Sequence, residues 1–146
     1  MCYRTTFKTR LLLLALGTAL ALLFLPPAPA TASDKDAQIR DTILRQIEAF
    51  ANDDRELAWA EASIGIKRRF KSAQVFVDMV RQAYPAVHQA TAIEFTERVP
   101  HGVFEIQAVK LRGPDGKRWQ AYYRMVLIEG DWKIAGVRVH PAAPGI

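Results

Sequence analysis

The chain has 146 residues, half of them hydrophobic, and 20 Lys and Arg against 15 Asp and Glu give it a formal net charge of +5. Three of the basic residues precede residue 11, and without them a balance of 17 to 15 leaves a net charge of +2. Because nucleic-acid binding rests on many cationic contacts with phosphates, this charge argues against a nucleic-acid partner. The only cysteine is Cys2, so no disulfide within the chain is expected.

The first 32 residues have the pattern of a secretory signal peptide. Three basic residues precede an uncharged apolar run over residues 11–25, two prolines follow it, and the small residues at 28–32 fit a cleavage site. The alternative is an uncleaved membrane anchor, but this run makes a helix of about 22 Å, shorter than a hydrocarbon core of roughly 30 Å. The sequence therefore predicts a periplasmic or secreted protein that is not attached to a membrane after cleavage.

The predicted mature chain is one domain over residues 33–140, followed by a short tail over residues 141–146. Ser33 or Asp34 is expected to cap a first helix, in which apolar residues recur at spacings of four, four and three. These apolar residues are Ile39, Ile43, Ile47 and Phe50. The stripe predicts one buried helix face, and replacement of Gln46 by alanine is expected to have little effect on stability.

Two further helices are predicted in the first half of the domain. Asp53 begins a sequence that resembles a capping box, and it is expected to start a short second helix that ends near Gly65. Ser72 is expected to cap a third helix, which Pro85 ends because proline does not fit a helix interior. The basic segment 67–71 between them is interpreted as a solvated face.

From residue 91 onward apolar residues alternate with polar ones, which predicts β-strands. Turn-forming residues rich in glycine separate the strands, and the last loop consists either of residues 129–130 or of residues 130–131. The expected strands cover residues 93–96, 103–112, 119–128 and 132–139. The predicted fold class is therefore α+β, with three N-terminal helices packed on a four-stranded antiparallel sheet.

Hairpin pairing predicts which side chains share a face of this sheet. A loop over residues 114–116 pairs Glu105 with Met125 and Gln107 with Tyr123. Both faces are substantially apolar, so helices on one side leave apolar area on the other, which predicts a homodimer. The predicted interface is the face opposite Tyr123, with Ile106, Val126, Ile128 and Val137. The alternative is that the helices pack on that face and that the Tyr123 face is the outer one.

Several segments resemble a known superfamily. Helices followed by an antiparallel sheet that ends in the hairpin 128–134, Ile-Glu-Gly-Asp-Trp-Lys-Ile, are similar to the nuclear transport factor 2-like fold of ketosteroid isomerases, scytalone dehydratases and polyketide cyclases. The segments 39–47, 49–54 and 79–87 with the terminal Trp-Lys-Ile more narrowly resemble an exported bacterial family of unknown function in that superfamily. The resemblance covers about residues 37–139. It implies a cone-like fold with a curved sheet, a cavity and frequent dimerisation, but no activity.

The function predicted from the sequence is that of an exported, non-enzymatic domain that binds a small apolar ligand or a protein partner. Five side chains are expected to line its pocket: Glu105, Gln107, Trp119, Tyr123 and Trp132. One alternative is an enzyme of isomerase or dehydratase type, with Glu105 as the candidate pocket carboxylate. Another is a structural module that self-associates through the sheet. No catalytic residue is assigned, because the catalytic patterns of the superfamily enzymes do not match this chain residue by residue.

Neither a metal ion nor an organic cofactor is expected. His88, His101 and His140 fall in predicted loops or the tail, lack the close spacing typical of metal ligands, and are interpreted as solvated. The sequence also contains no glycine-rich phosphate loop after a strand and no Gly-x-Ser-x-Gly segment.

Overall fold

The computed structural model describes residues 32–143. Residues 1–31, with almost all of the predicted signal peptide, and the last three residues of the predicted tail lie outside this range. The described residues form five helices followed by a four-stranded antiparallel sheet. The helices are α1 (Ala32–Ala51), α2 (Arg55–Ala60), α3 (Ile64–Phe70), α4 (Ala73–Ala83) and α5 (Pro85–His88). The strands are β1 (Ala92–His101), β2 (Phe104–Arg112), β3 (Arg118–Ile128) and β4 (Asp131–Pro141).

The predicted α+β class is confirmed, with five helices where three were expected. The helix α3 contains residues 67–70 of the basic segment 67–71, for which no helix was expected. The helix α5 begins at Pro85, which was expected only to end the preceding helix. Proline suits the first position of a helix because the missing N–H would have no partner inside the helix there, and its fixed φ is already helical.

Two polar side chains set the starts of α2 and α4. The Asp54 Oδ1 atom accepts a hydrogen bond from the backbone N of Leu57 at 3.0 Å, so the cap of α2 is Asp54 and not the predicted Asp53. Asp53 instead has a φ of 55° in the turn that follows α1. Ser72 caps α4 as predicted, because its Oγ accepts from the N of Val75 at 3.3 Å.

The strands follow each other in the order β1-β2-β3-β4, and the predicted pairing of β2 with β3 is confirmed. Gln107 lies opposite Tyr123, and Glu105 lies opposite Met125. The last loop is Glu129–Gly130, since Ile128 pairs with Asp131. Both loop residues have positive φ, at 52° and 89°, as the tight turns that match the twist of a hairpin require.

A β-bulge in the last hairpin changes the predicted faces of β4. Met125 pairs with Ile134, whereas the preceding Arg124 pairs with Gly136, so Ala135 is an extra residue in β4. Because side chains alternate between faces, one extra residue turns every later position to the other side. Val137 therefore pairs with Tyr123 and packs against the core. Its predicted place on the outer face is wrong.

The helices cover the sheet face that carries Tyr123 and Met125, both of which are 0% exposed. The predicted stripe of α1 lies against it, with Ile39 and Ile43 at 0% and Ile47 at 2% exposure. The opposite face is therefore the outer one, as predicted, and the alternative with the Tyr123 face outside is wrong. Within the described range, no helix is long and apolar enough to cross a membrane.

Gln46 is buried, contrary to the expectation that it contributes little. It lies next to the apolar stripe of α1, and its Nε2 donates a hydrogen bond to the backbone O of Ala58 at 3.0 Å. Because Ala58 belongs to α2, the amide of Gln46 ties the first two helices together.

Candidate functional site

A cavity of about 580 Å³ lies between α3, α4 and strand β4, and we call it the apolar groove. Its helical wall is mainly apolar and includes Ile64, Ile66, Phe70, Met79 and Val80, and the uncharged polar residues Gln46, Ser63 and Tyr84 also line it. Its sheet wall is formed by Val126, Ile128, Ile134, Ala135, Gly136 and Val137. Residues from both sides of the sheet line it, so the groove runs across β4, which is an edge strand.

The groove exists because α3 is attached to the sheet at one end. The backbone N of Ser63 donates to the O of Ile134 at 2.8 Å, and the N of Ile134 donates to the O of Glu61 at 2.9 Å. The helix α3 then begins at Ile64, and none of its seven residues is buried. A short helix that is held at its start, and that packs against the core through the partly buried Ile66 and Phe70, leaves space between itself and β4.

The bulge in β4 lies beside this space. Gly136 directly follows the extra residue and lines the groove. A Cβ atom added to Gly136 would meet no atom of the described residues within 4 Å. Since Gly136 does not have a positive φ, a side chain is sterically possible there and would point into open space.

The charged side chains among the described lining residues are Arg69 of α3 and Arg124 of β3. None of the described lining residues is Asp, Glu or His. The Arg124 Nη2 atom donates to the backbone O of Ala135 at 3.1 Å. The groove thus combines apolar walls with two cationic groups.

Glu105, the carboxylate predicted for the pocket, lies in an ion-pair cluster away from the groove. Its side chain is 8% exposed and contacts the Lys35 Nζ at 3.2 Å and the Arg98 guanidinium. Arg98 also contacts Asp36, and its hydrogen bonds to Asp36 and Glu105 raise the pKa of Arg98 above its usual value, although burial opposes them. The cluster ties the first turn of α1 to β1 and β2.

Gln107 and Tyr123 are both fully buried beside each other in the sheet. The Gln107 Nε2 donates to the backbone O of Ala108 at 2.9 Å. Within residues 32–143, neither the Gln107 Oε1 nor the Tyr123 Oη has a hydrogen-bond partner. Burial raises the pKa of Tyr123, so its hydroxyl stays protonated at ordinary pH. Both side chains are part of the core and do not line the groove.

The two tryptophans of the predicted pocket line other cavities. Trp119 borders a cavity of about 370 Å³ at the end of the sheet where β1 begins. Trp132 borders a polar cleft of about 490 Å³ between α1 and the last hairpin. The structure thus separates the five predicted pocket residues, and contact of any of them with a ligand stays a prediction.

The polar cleft contains paired charges. The Arg45 Nε and Nη2 atoms donate to the two carboxylate oxygens of Glu61 at 2.9 and 3.1 Å. The hydrogen bond from Arg45 to Glu61 raises the pKa of Arg45, although burial opposes it. Nowhere in the described range are three His, Cys, Asp or Glu side chains close enough together to hold a metal ion.

The residues predicted for a dimer interface divide between two surfaces. Ile106, Val126 and Ile128 lie on the outer face and are half-buried. Val126 and Ile128 also line the groove, and so does Val137 from the inner face. Sequence reasoning missed the groove because its helical wall, α3, carries apolar residues without a clear helical stripe.

His88 was interpreted as solvated, and that interpretation is wrong. It ends the short helix α5 and is 5% exposed. Its ring lies 5.8 Å from that of Phe50, centroid to centroid. The sequence holds a signal for this burial, since His88 follows Ala86 and Val87, which are also buried.

Comparison with known proteins places the chain in a family. The model of a family described as a domain of unknown function, DUF4864, matches residues 32–145. The chain belongs to this family. No curated protein matches this DUF4864 chain.

Solved structures show that the fold of this DUF4864 chain is nuclear transport factor 2-like (NTF2-like). An NTF2-like protein of unknown function from Shewanella baltica OS155 aligns with a TM-score of 0.53 and 12% sequence identity, over 78% of this chain and 100% of its own. A second one, from Silicibacter pomeroyi DSS-3, aligns with a TM-score of 0.50 and 18% identity, over 75% of this chain and 99% of its own. The predicted NTF2-like fold is therefore confirmed, and at these identities the likeness concerns the fold alone.

Proposed function

We propose that this DUF4864 domain binds a small apolar ligand in the apolar groove. The observation that carries the proposal is the groove itself, whose volume of about 580 Å³ is bounded by apolar side chains of both helices and sheet. Small-molecule sites are typically concave, mostly apolar, and roughly 300–1,000 Å³ in volume.

The ionisable side chains that line the apolar groove favour ligand binding over acid–base catalysis. A general base is most often a histidine or a carboxylate within hydrogen-bond reach of the substrate. The described residues that line the groove include neither a carboxylate nor a histidine. Glu105, the carboxylate proposed for an isomerase or dehydratase reaction, is held by Lys35 and Arg98 outside the groove.

The proposal is tested with a neutral apolar fluorophore such as N-phenyl-1-naphthylamine, whose emission rises in an apolar environment. The purified protein is expected to bind it saturably. Gly136→Leu is expected to weaken binding by at least about tenfold, because the leucine side chain takes space at the groove that the ligand would fill.

Arg138→Leu is the matched control. Arg138 lies two residues further along β4, is exposed, and does not line the groove. It is expected to leave the affinity unchanged. Absence of saturable binding, or equal weakening by the two leucine variants, would overturn the proposal.

Self-association through the outer sheet face is a second proposal. Tyr122 and Val99 on this face are 39% and 47% exposed, and the half-buried Ile106 lies between the strands that carry them. Contiguous apolar area on a surface marks an interaction site, and a two-fold dimer is the commonest way to cover it.

The oligomeric state in solution tests this second proposal. Light scattering is expected to show a dimer. Ile106→Arg is expected to give a folded monomer, because it places a charge on the outer sheet face. Ile106 does not line the groove, so this variant leaves the ligand site intact. Leu127→Arg, at an exposed position on the other face, should leave the dimer intact. A concentration-independent monomer for the unmodified protein would exclude the dimer.

Export is the third part of the proposal, and it rests on the sequence of residues 1–32. Intact-mass analysis of protein from an exporting host is expected to find a new N-terminus near Thr31 or Ser33. Recovery of the uncleaved chain in the membrane fraction alone would contradict it.

A further inference from the structure

The charges at the apolar groove all have one sign. Arg69 and Arg124 come from α3 and β3, and the described lining residues carry no carboxylate. Residues 62–77, which include α3, contain four basic and no acidic residues. Fixed charges of one sign beside low-dielectric apolar walls create a strong local potential. The groove is therefore electropositive along its α3 wall.

Neither of the two guanidinium groups is occupied by an acidic partner in the described part of the chain. The guanidinium carbon of Arg69 lies 5.5 Å from the ring centroid of Phe70. Arg124 uses one donor on the backbone O of Ala135 and lies 5.9 Å from the ring centroid of Phe104. A guanidinium has five N–H donors, so most of the donors of both residues remain available.

Arg69 and Arg124 differ from the arginines that form ion pairs in the part of the molecule where they lie. Arg45 and Arg98 each bind carboxylates in the clusters described above. Unpaired arginines on an open surface are solvated and need no partner. Arg69 and Arg124 are exposed as well, but both line the same apolar cavity, so a ligand with an apolar body in that cavity can bring its polar end to them.

We propose that the groove binds an amphipathic anion, with a hydrocarbon body and one terminal carboxylate. Guanidinium binds carboxylate through two parallel charge-assisted hydrogen bonds, which a neutral hydroxyl cannot reproduce. The apolar walls bury the hydrocarbon, and each buried methylene group adds roughly fourfold in affinity. This inference rests on the proposed function and adds the chemical class of the ligand.

The test compares an anion with a neutral molecule of the same chain length. Titration calorimetry of the purified protein with dodecanoate and with dodecanol, both below the concentration at which they aggregate, measures the two affinities. Dodecanoate is expected to bind at least about tenfold more tightly than dodecanol, and this preference should shrink with added salt.

The double variant Arg69→Gln, Arg124→Gln is expected to bind dodecanoate no better than dodecanol. Arg68→Gln is the matched control, because Arg68 is exposed on the same helix but does not line the groove. It should keep the preference. Far-UV circular dichroism checks that each variant is folded.

The outcomes separate the two proposals. Equal affinities for dodecanoate and dodecanol, both weakened by Gly136→Leu, would overturn the anion inference and leave apolar binding in the groove standing. A preference for dodecanoate that survives in the double variant, or that disappears in Arg68→Gln, would also overturn it. If neither molecule binds, the proposed function fails and the inference fails with it.

Discussion

His88 is a buried imidazole, and within the described range neither of its ring nitrogens has a hydrogen-bond partner. Burial, and after it the positive charge of Arg81, lower the pKa of His88, while Asp53 acts in the opposite direction. The folded protein therefore favours the neutral ring. An unfolded histidine has a pKa of about 6.5, so below this pH the unfolded chain binds a proton that the folded chain resists.

Stability is expected to fall as the pH is lowered from about 7.5 to 5, with His88 contributing up to about 1.4 kcal/mol per pH unit. His88→Phe removes this contribution, so its free energy of unfolding in urea should fall less over the same range. His101→Phe, at an exposed position, should behave like the unmodified protein. Parallel pH profiles for the His88 variant and the unmodified protein would show that the ring is not held neutral.

Arg98 and Lys35 both contact Glu105, and they differ in exposure. The side chain of Arg98 is 15% exposed and that of Lys35 is 41% exposed. Removing one partner of a desolvated ion pair leaves a buried charge unpaired, whereas an exposed pair contributes little. The cluster therefore depends on Arg98 far more than on Lys35.

Arg98→Met is expected to lower the free energy of unfolding by about 2–4 kcal/mol, because it leaves Glu105 without its better-buried partner. Lys35→Met should cost less than about 1 kcal/mol. Urea titrations at neutral pH measure both. A larger loss from the lysine variant would mean that Glu105 is held mainly by Lys35.

At the scale of the elements, α1 depends on its buried stripe. Ile43→Ala is expected to lower the free energy of unfolding by about 2–5 kcal/mol, since Ile43 is fully buried. Gln46→Ala should cost about 1–3 kcal/mol, because the O of Ala58 loses its side-chain donor. Glu48→Ala, at an exposed position, should change stability by less than about 0.5 kcal/mol. Equal losses for Glu48 and Ile43 would contradict the assigned face.

The elements that could be predicted from the sequence are those with strong local signals. The isoleucine stripe identified α1, Ser72 identified the start of α4, and the glycine-containing turns fixed the β2–β3 register. The bulge at Ala135 could not be predicted in this way, because an extra residue leaves the local alternation of apolar residues plausible on either face. The positions of Val137 and of the groove both depend on that bulge.

The helix α3 was not predicted because its sequence also lacks a strong local signal. Its sequence, Ile-Gly-Ile-Lys-Arg-Arg-Phe, combines glycine with a run of three cations, and none of its residues is buried. Helical periodicity signals a face that packs on the core, and in α3 that face is short, with the partly buried Ile66 and Phe70. The sequence therefore identified the core-facing parts of the domain better than the part that borders the groove.

At the scale of the whole molecule, the apolar groove arises from the way several helices and strands pack together, and no single segment of the sequence forms it. The apolar groove draws its walls from α3 and α4 and from β3 and β4, two pairs of neighbouring elements that α5, β1 and β2 separate in the sequence. The five residues predicted for the pocket share a sheet face. The helices pack on the middle of that face, where Tyr123 and Gln107 are fully buried, so no pocket remains there. The open space is displaced to the edge of the sheet, beside β4.

Two-dimensional NMR of the protein titrated with N-phenyl-1-naphthylamine tests the location of the site most directly, because the aromatic ring shifts the amide signals of its neighbours. The largest shifts are expected at residues of the groove, such as Gly65, Met79 and Gly136. The amides of Glu105, Gln107 and Trp119 should remain unchanged. Shifts concentrated on these last three residues, with Gly65 and Gly136 unaffected, would contradict the account.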